Sequence, residues 1–111
     1  LGPRMWKHPH MVKVTLDADA DPLPTLTLQS ETWELHIRAT LANLSRLNGI
    51  REASWEERKS LQIGNCAGSP VFWTIAPDDQ ATLLIGQDDE TWDIGLLIPL
   101  TTIDKIVTLS H

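Results

Sequence analysis

The chain has a single cysteine, Cys66, no tyrosine and only one phenylalanine. One cysteine excludes an internal disulfide framework and favours a reducing compartment, so we expect a cytoplasmic protein. Long apolar runs are also missing. The longest, residues 94–100, has the length of a strand and falls well short of the roughly 20 residues that a membrane-spanning helix needs. We therefore expect no membrane partner.

Basic residues are scarce in the second half of the chain. Residues 60–111 contain seven Asp and Glu residues against one basic residue, Lys105, whereas residues 1–59 are balanced at eight of each. The net charge of −6 thus lies entirely in the second half. A sequence pI near 5.0 argues against direct binding of nucleic acid, which requires a basic surface. Because crowded like charges slightly destabilise a compact state, their concentration suggests a surface that meets a positively charged partner.

The remaining composition is that of an ordinary globular domain. At 111 residues, with 41% hydrophobic and 22% charged residues, the chain is long enough to bury one core. Residues 1–10 lack the apolar segment of a signal peptide, and we expect them to be a flexible N-terminal tail or vector-derived. Residues 11–111 are then expected to form a single domain.

The first half of the chain changes period once. Residues 11–16, 25–28 and 33–38 carry the alternating apolar pattern of strands. From about residue 39 the leucines recur at helical spacing, and Asn48-Gly49 predicts the end of that helix. Ser54 with Glu57 three positions later has the form of a capping box, which predicts a short helix over residues 54–59. A strand stub and a loop, Gly64–Ser69, are expected to follow.

The last third predicts a hairpin and a further strand. Residues 71–75, 82–85 and 92–98 are nearly continuously apolar, which is typical of central strands covered on both faces. Pro99 then favours the start of a closing helix with an apolar stripe. The fold class predicted from these elements is α+β, a single domain with a largely antiparallel sheet and two or three helices packed on it.

Four of the seven acids of the second half lie within six residues, in the string Asp88-Asp89-Glu90-Thr91-Trp92-Asp93. Tryptophan is a typical anchor of protein interfaces, and surrounding carboxylates steer a basic partner. The alternative is an ordinary turn whose Asp side chains bond the backbone, with Trp92 in the core. Asp78-Asp79, in the preceding turn, belongs to the same surface only if both turns lie at one end of the sheet.

Two other motifs resemble a catalytic and a metal-binding pattern, but each lacks residues that the pattern requires. Gly64-Asn-Cys66-Ala-Gly68 has the form of a nucleophile elbow, but only one histidine, His111, follows it. The Asp17, Asp19 and Asp21 spacing opens like a calcium loop, but proline and leucine occupy the positions where glycine and glutamate are required. We expect no catalytic residue, no metal site and no cofactor. His8 and His10 fall in the expected tail.

Several of these segments together resemble the small acidic immunity proteins that bacteria encode beside polymorphic toxins, including those of contact-dependent growth inhibition. The resemblance is carried by Ser54-Trp55, Gly64, the run from Gly68 to Trp73, the string from Asp88 to Asp93, and Pro99 with its closing helix. It implies a protein without enzymatic activity that binds and neutralises a cognate basic toxin domain, often an RNase or DNase.

On charge placement we assign partner binding to eight residues: Asp88, Asp89, Glu90, Trp92, Asp93, Asp78, Asp79 and Trp55. Two alternatives remain open at this point. The first is an interaction or scaffold module whose acidic turns only maintain solubility. The second is a small hydrolase that uses Cys66.

Overall fold

Seven strands and two α-helices follow one another in the computed structural model, which describes residues 12–111. The expected tail at residues 1–10 lies outside the described residues. The elements are β1 (Lys13–Asp17), β2 (Thr25–Gln29), β3 (Glu34–Arg38), α1 (Leu41–Ser45), a 3₁₀ helix (Arg46–Glu52), β4 (Leu61–Cys66), β5 (Ser69–Ala76), β6 (Gln80–Gly86), β7 (Trp92–Pro99) and α2 (Leu100–Leu109).

The strands form one antiparallel sheet in which each strand pairs with its neighbour in the chain, in the order β1 to β7. The register within the β5–β6–β7 meander is continuous, as in the pairs Trp73↔Leu83 and Leu83↔Leu96. By contrast, β3 and β4 meet through a single residue pair, Arg38↔Asn65. The predicted α+β class with a single domain is confirmed.

One face of the sheet is covered by α1, the 3₁₀ helix and α2. Alternate strand residues point to that face, among them Leu26, Ile37 and Trp73, all of which are fully buried. They pack with Leu44, Leu47, Ile50, Ile103 and Ile106 from the helices. We call the opposite side of the sheet the open face.

The helix predicted after residue 39 begins as expected but does not stop at Asn48-Gly49. The Thr40 side chain accepts a hydrogen bond of 3.1 Å from the Asn43 N–H, which caps α1. Beyond Ser45 the chain tightens into the 3₁₀ helix and continues to Glu52. Burial of Leu47 and Ile50 against the sheet holds these turns together past the expected stop.

The helix predicted over residues 54–59 is wrong. Ser54 Oγ does accept a hydrogen bond of 3.3 Å from the Glu57 N–H, so the cap is formed. Arg58, however, adopts a left-handed backbone with φ of 57°, so the segment forms a single turn and no helix. We call residues 54–59 the capped turn.

The expected loop at Gly64–Ser69 is also wrong, because β4 continues through it to Cys66. A bulge near Gly64 (φ 85°) keeps the strand in contact with β5, and only Ala67 and Gly68 lie between the two strands. Cys66 therefore precedes a hairpin turn that leads into a strand. The strand-to-helix turn of a nucleophile elbow is not formed there.

The predicted hairpin, final strand and closing helix are all present, and Pro99 stands at the N-cap of α2. The expectation that all three apolar strands are central is wrong for β7, which is an edge of the sheet. Five of its eight residues, Trp92 to Gly95 and Leu97, are exposed. The run of apolar residues in β7 thus supplies surface as well as core.

Candidate functional site

The acidic string forms the connection between β6 and β7. We call residues 87–91 the acidic loop. Its shape is set by Asp88, whose Oδ1 accepts hydrogen bonds from the N–H groups of Glu90 (2.8 Å) and Thr91 (2.6 Å). A backbone bond of 2.9 Å from the Gln87 N–H to the Thr91 oxygen closes the loop. Asp88 therefore has the role of an ordinary turn aspartate, since its side chain bonds the backbone of the loop.

The same hydrogen bonds act on the charge of Asp88. Donation from the Glu90 N–H, and then from the Thr91 N–H, lowers the pKa of this carboxyl below its ordinary value of 3.8, since both bonds favour the ionised form. The side chain is exposed to solvent. Asp88 consequently holds a fixed negative charge at neutral pH.

The capped turn and Ser60, which follows it, hold the rest of the acidic loop. Trp55 Nε1–H donates to the backbone oxygen of Asp89 at 2.8 Å, and the Ser60 hydroxyl donates to Asp89 Oδ2 at 2.7 Å. Arg58 Nη2 lies 2.8 Å from Glu90 Oε2 in an exposed ion pair. Two segments about 30 positions apart in sequence thus form one surface.

Beside the capped turn lies an open groove of about 510 Å³ on the open face of the sheet, lined by residues of that turn, of β5 and β6, and by Trp92 directly after the acidic loop. Its walls include the two indoles of Trp55 and Trp92, each 46% exposed. The ring of Trp92 lies over Gly95, where an added Cβ would be 3.0 Å from Cζ3 of the indole. Trp92 therefore lies at the surface and not in the core, which was the alternative position considered from the sequence.

The floor of the groove comes from the interior strands β5 and β6. Thr74, Thr82 and Leu84 line it, and Ile75, Ala76 and Pro77 complete one end. Thr74 is only 3% exposed, yet its hydroxyl makes no side-chain hydrogen bond among the described residues. No fully buried side-chain oxygen or nitrogen there lacks a partner, so the Thr74 hydroxyl must open into the groove.

The surroundings of the groove are strongly acidic. Residues 54–60 and 86–93 together carry six carboxylates and two basic side chains, a formal charge of −4 out of the total of −6. Both basic side chains have acidic neighbours, Arg58 at Glu90 and Lys59 at Glu57 (3.4 Å). Glu56 lines the groove itself. Exposed Asp93 follows directly after Trp92.

Asp78 and Asp79 lie away from the acidic loop, although Pro77, which precedes them, lines the far end of the groove. They connect β5 to β6, at the opposite end of β6 from the acidic loop. Seven strand residues separate the two turns, which corresponds to about 20 Å. The backbone oxygen of Asp79 accepts a hydrogen bond of 2.9 Å from the Leu100 N–H and so anchors the start of α2.

Of the residues assigned to partner binding from the sequence, the structure joins Trp55 to Asp89 and lines one groove with Trp55 and Trp92. Four further lining residues were not predicted from the sequence: Glu56, Thr74, Thr82 and Leu84. A signal for the floor was available. Alternation within the predicted hairpin places Phe72, Thr74, Thr82 and Leu84 on the face opposite the core. Phe72 and Leu84 are nevertheless buried, at 9% and 5% exposure, which requires a cover on that face.

The described residues contain no group of three or more His, Cys, Asp or Glu side chains arranged to hold a metal ion. Over residues 12–111, no helix has both the length and the apolar character needed to cross a membrane.

Comparisons with known proteins yield no relative: no family model, no curated protein and no solved structure matches the chain.

Proposed function

We propose that this chain is a cytoplasmic immunity protein without enzymatic activity, which binds a basic toxin domain and covers its active site. The observation that carries the proposal is the meeting of two exposed indoles, Trp55 and Trp92, with an ordered acidic loop at one groove. Partly exposed tryptophans are the usual anchors of protein interfaces, and charges beside them select the partner.

The charge pattern indicates a basic partner. Nuclease active sites hold phosphates and are therefore rich in basic groups, which carboxylates can occupy in place of the substrate. Asp88 and Asp93 are exposed, and Asp88 keeps its charge because backbone N–H groups stabilise it. The acidic surface is available to a partner on the side of the sheet away from α1 and α2.

The order of the acidic loop supports tight binding. Asp88, Asp89 and Glu90 are each held by a hydrogen bond or an ion pair in the free protein. A partner therefore meets charges that are already positioned, and less conformational entropy is lost on binding. Complementary fields also accelerate association.

The first experiment uses the toxin domain encoded by the reading frame next to that of this chain. A stoichiometric amount of the chain should abolish the nuclease activity of that domain. The association rate constant should fall at least about tenfold between 0.05 and 0.5 M salt, since the Debye length is about 10 Å at 0.1 M and shorter above it. Undiminished nuclease activity at a large excess of the chain contradicts the proposal.

Two double variants locate the binding surface. Asp88→Asn with Asp93→Asn removes one charge of the acidic loop and one beside Trp92, and the amide oxygen introduced at position 88 still accepts the loop hydrogen bonds. Asp17→Asn with Asp19→Asn removes the same charge at β1, and an amide oxygen at position 17 still accepts the hydrogen bond from the N–H of residue 19. The first pair should slow association several-fold at 0.1 M salt and the second much less, because β1 and β7 are opposite edges of the seven-stranded sheet, more than about two Debye lengths apart. Equal effects would place the toxin elsewhere.

A further inference from the structure

We propose that the groove between Trp55 and Trp92 receives an arginine side chain of the partner. This inference rests on the proposed function and names the group that the site recognises. Trp55 and Trp92 line the groove, and the acidic residue Glu56 belongs to the same lining. A guanidinium group stacks on indole faces and pairs with carboxylates in one geometry, which no apolar or anionic side chain does.

The two indoles are held before any partner arrives. Trp55 is fixed by its hydrogen bond to the Asp89 oxygen, and Trp92 rests on the bare backbone of Gly95. A larger residue at position 95 would meet the ring at 3.0 Å. Both rings are therefore held in place beside the groove in the free protein, which lowers the entropic cost of stacking a flat cation on them.

The floor of the groove favours an occupant that can form hydrogen bonds. Thr74 is almost completely buried, and its hydroxyl opens into the groove without a side-chain partner among the described residues. An aliphatic side chain seated there would cut this hydroxyl off from water and leave it unpaired, which is costly. The five N–H donors of a guanidinium can satisfy it together with a carboxylate at the rim.

The charge around the groove favours arginine over other planar groups. The formal charge of −4 on residues 54–60 and 86–93 repels phosphate groups and therefore disfavours nucleotides and nucleic acids as occupants. Lysine carries the same charge, but its ammonium group is strongly hydrated and presents no plane to the indoles. The volume of about 510 Å³ is within the range of small-ligand sites and admits a long side chain with its adjacent backbone.

The probe for this inference is blocked arginine (N-acetyl-arginine methylamide), titrated into the intact chain and followed by the indole N–H signals in two-dimensional NMR. Blocked lysine, blocked leucine and blocked citrulline, the neutral isostere of arginine, serve as matched probes. We expect binding on the order of millimolar for blocked arginine, with the signals of Trp55 and Trp92 shifting. The signal of Trp73, fully buried with its N–H bonded to the Ile63 oxygen at 2.9 Å, should stay in place.

Variants connect the shifts to the groove. Trp92→Leu should weaken binding of blocked arginine about tenfold or more, and Asp17→Asn with Asp19→Asn, at the opposite edge of the sheet, should leave it unchanged. The unshifted Trp73 signal reports that Trp92→Leu is folded. Equal shifts from blocked citrulline or blocked lysine, or stronger ones from blocked leucine, overturn the arginine assignment.

The inference and the proposed function fail in different ways. Inhibition of the toxin by a chain whose groove ignores blocked arginine refutes the inference alone. Binding of blocked arginine at the groove of a chain that inhibits no neighbouring toxin refutes the proposed function alone. If the inference holds, the affinity of Trp92→Leu for the toxin falls, and replacing one arginine of the toxin with lysine reproduces that loss.

Discussion

The indole N–H of Trp55 donates a hydrogen bond of 2.8 Å to the backbone oxygen of Asp89, a residue 34 positions further along the chain. This bond joins the capped turn to the acidic loop and fixes one wall of the groove. The Ser60 hydroxyl reaches the same residue through its side chain. The position of Asp89 thus depends on two donors from a single segment.

Trp55→Phe should loosen the acidic loop while it keeps an aromatic ring in the groove. Loss of one donor costs about 0.5–1.5 kcal/mol of unfolding free energy, with the lower end expected at this exposed site. Urea denaturation measures the loss, and hydrogen exchange at the Glu90 and Thr91 amides reports on the loop itself.

Ser60→Ala is the matched control for the second donor to Asp89. Because both donors hold the same residue, the two substitutions together should not be additive. Exchange rates identical to those of the parent in both single variants would show that the loop keeps its shape without the capped turn.

Asp88 should make the order of the loop depend on pH. Its pKa in the folded chain lies below the ordinary 3.8, so its stabilising effect is present above that value and is lost as the pH falls through the folded pKa. Carboxyl NMR titration should place the Asp88 transition below those of unperturbed aspartates. A transition at or above 3.8 contradicts the hydrogen bonding seen here.

Two substitutions at Asp88 separate its charge from its geometry. Asp88→Ala removes the acceptor and should raise the exchange rates of the Glu90 and Thr91 amides at neutral pH. Asp88→Asn keeps an acceptor and should preserve the loop, but the dependence on acid should disappear because asparagine does not titrate. Equal behaviour of the two variants at neutral pH would remove Asp88 from the description of the loop.

Gly64 and Gly68 form a natural pair for testing the seam between β3 and β4. Both have φ of 85°, so alanine is strained at either position by about 1 kcal/mol. Only at Gly64 would the new Cβ collide, at 2.6 Å from Ile37 Cγ2 and 3.1 Å from the Arg38 oxygen, whereas nothing lies within 4 Å at Gly68.

Gly64→Ala should therefore cost about 2–4 kcal/mol, the sum of strain and overpacking, and Gly68→Ala about 1 kcal/mol. Thermal or urea unfolding of the two variants provides the comparison. Similar losses of unfolding free energy in both variants would mean that β3 shifts easily to make room for the new Cβ, near its single residue pair with β4.

Much of the fold could be predicted because local pattern and burial agree. The β5–β6 hairpin carries apolar residues on both faces, and its turn residues suit the left-handed backbone seen at Asp78 and Asp79. The extent of α1 was harder to predict, since Leu47 and Ile50 continue the burial in 3₁₀ geometry past an apparent stop. Tertiary packing overrides the local signal there.

The site was only partly predictable for a different reason. Apolar content places a strand in a sheet but does not say whether it is an edge, and β7 is one. The capped turn formed its cap and then ended at Arg58, whose left-handed backbone no pattern in residues 54–59 indicates. The separation of the two acidic turns follows from the alternation of strand ends in an antiparallel meander.

The order of the strands has a kinetic consequence. Since each strand pairs only with its neighbour in the chain, the loops that close during sheet formation are short, apart from residues 39–60 between β3 and β4, and the loss of chain entropy at most steps is small. The longest closure brings α2 against β1 and α1, where the hydroxyls of Ser45 and Ser110 lie 3.0 Å apart. We expect the hairpins to assemble early and the arrival of α2 to set the folding rate.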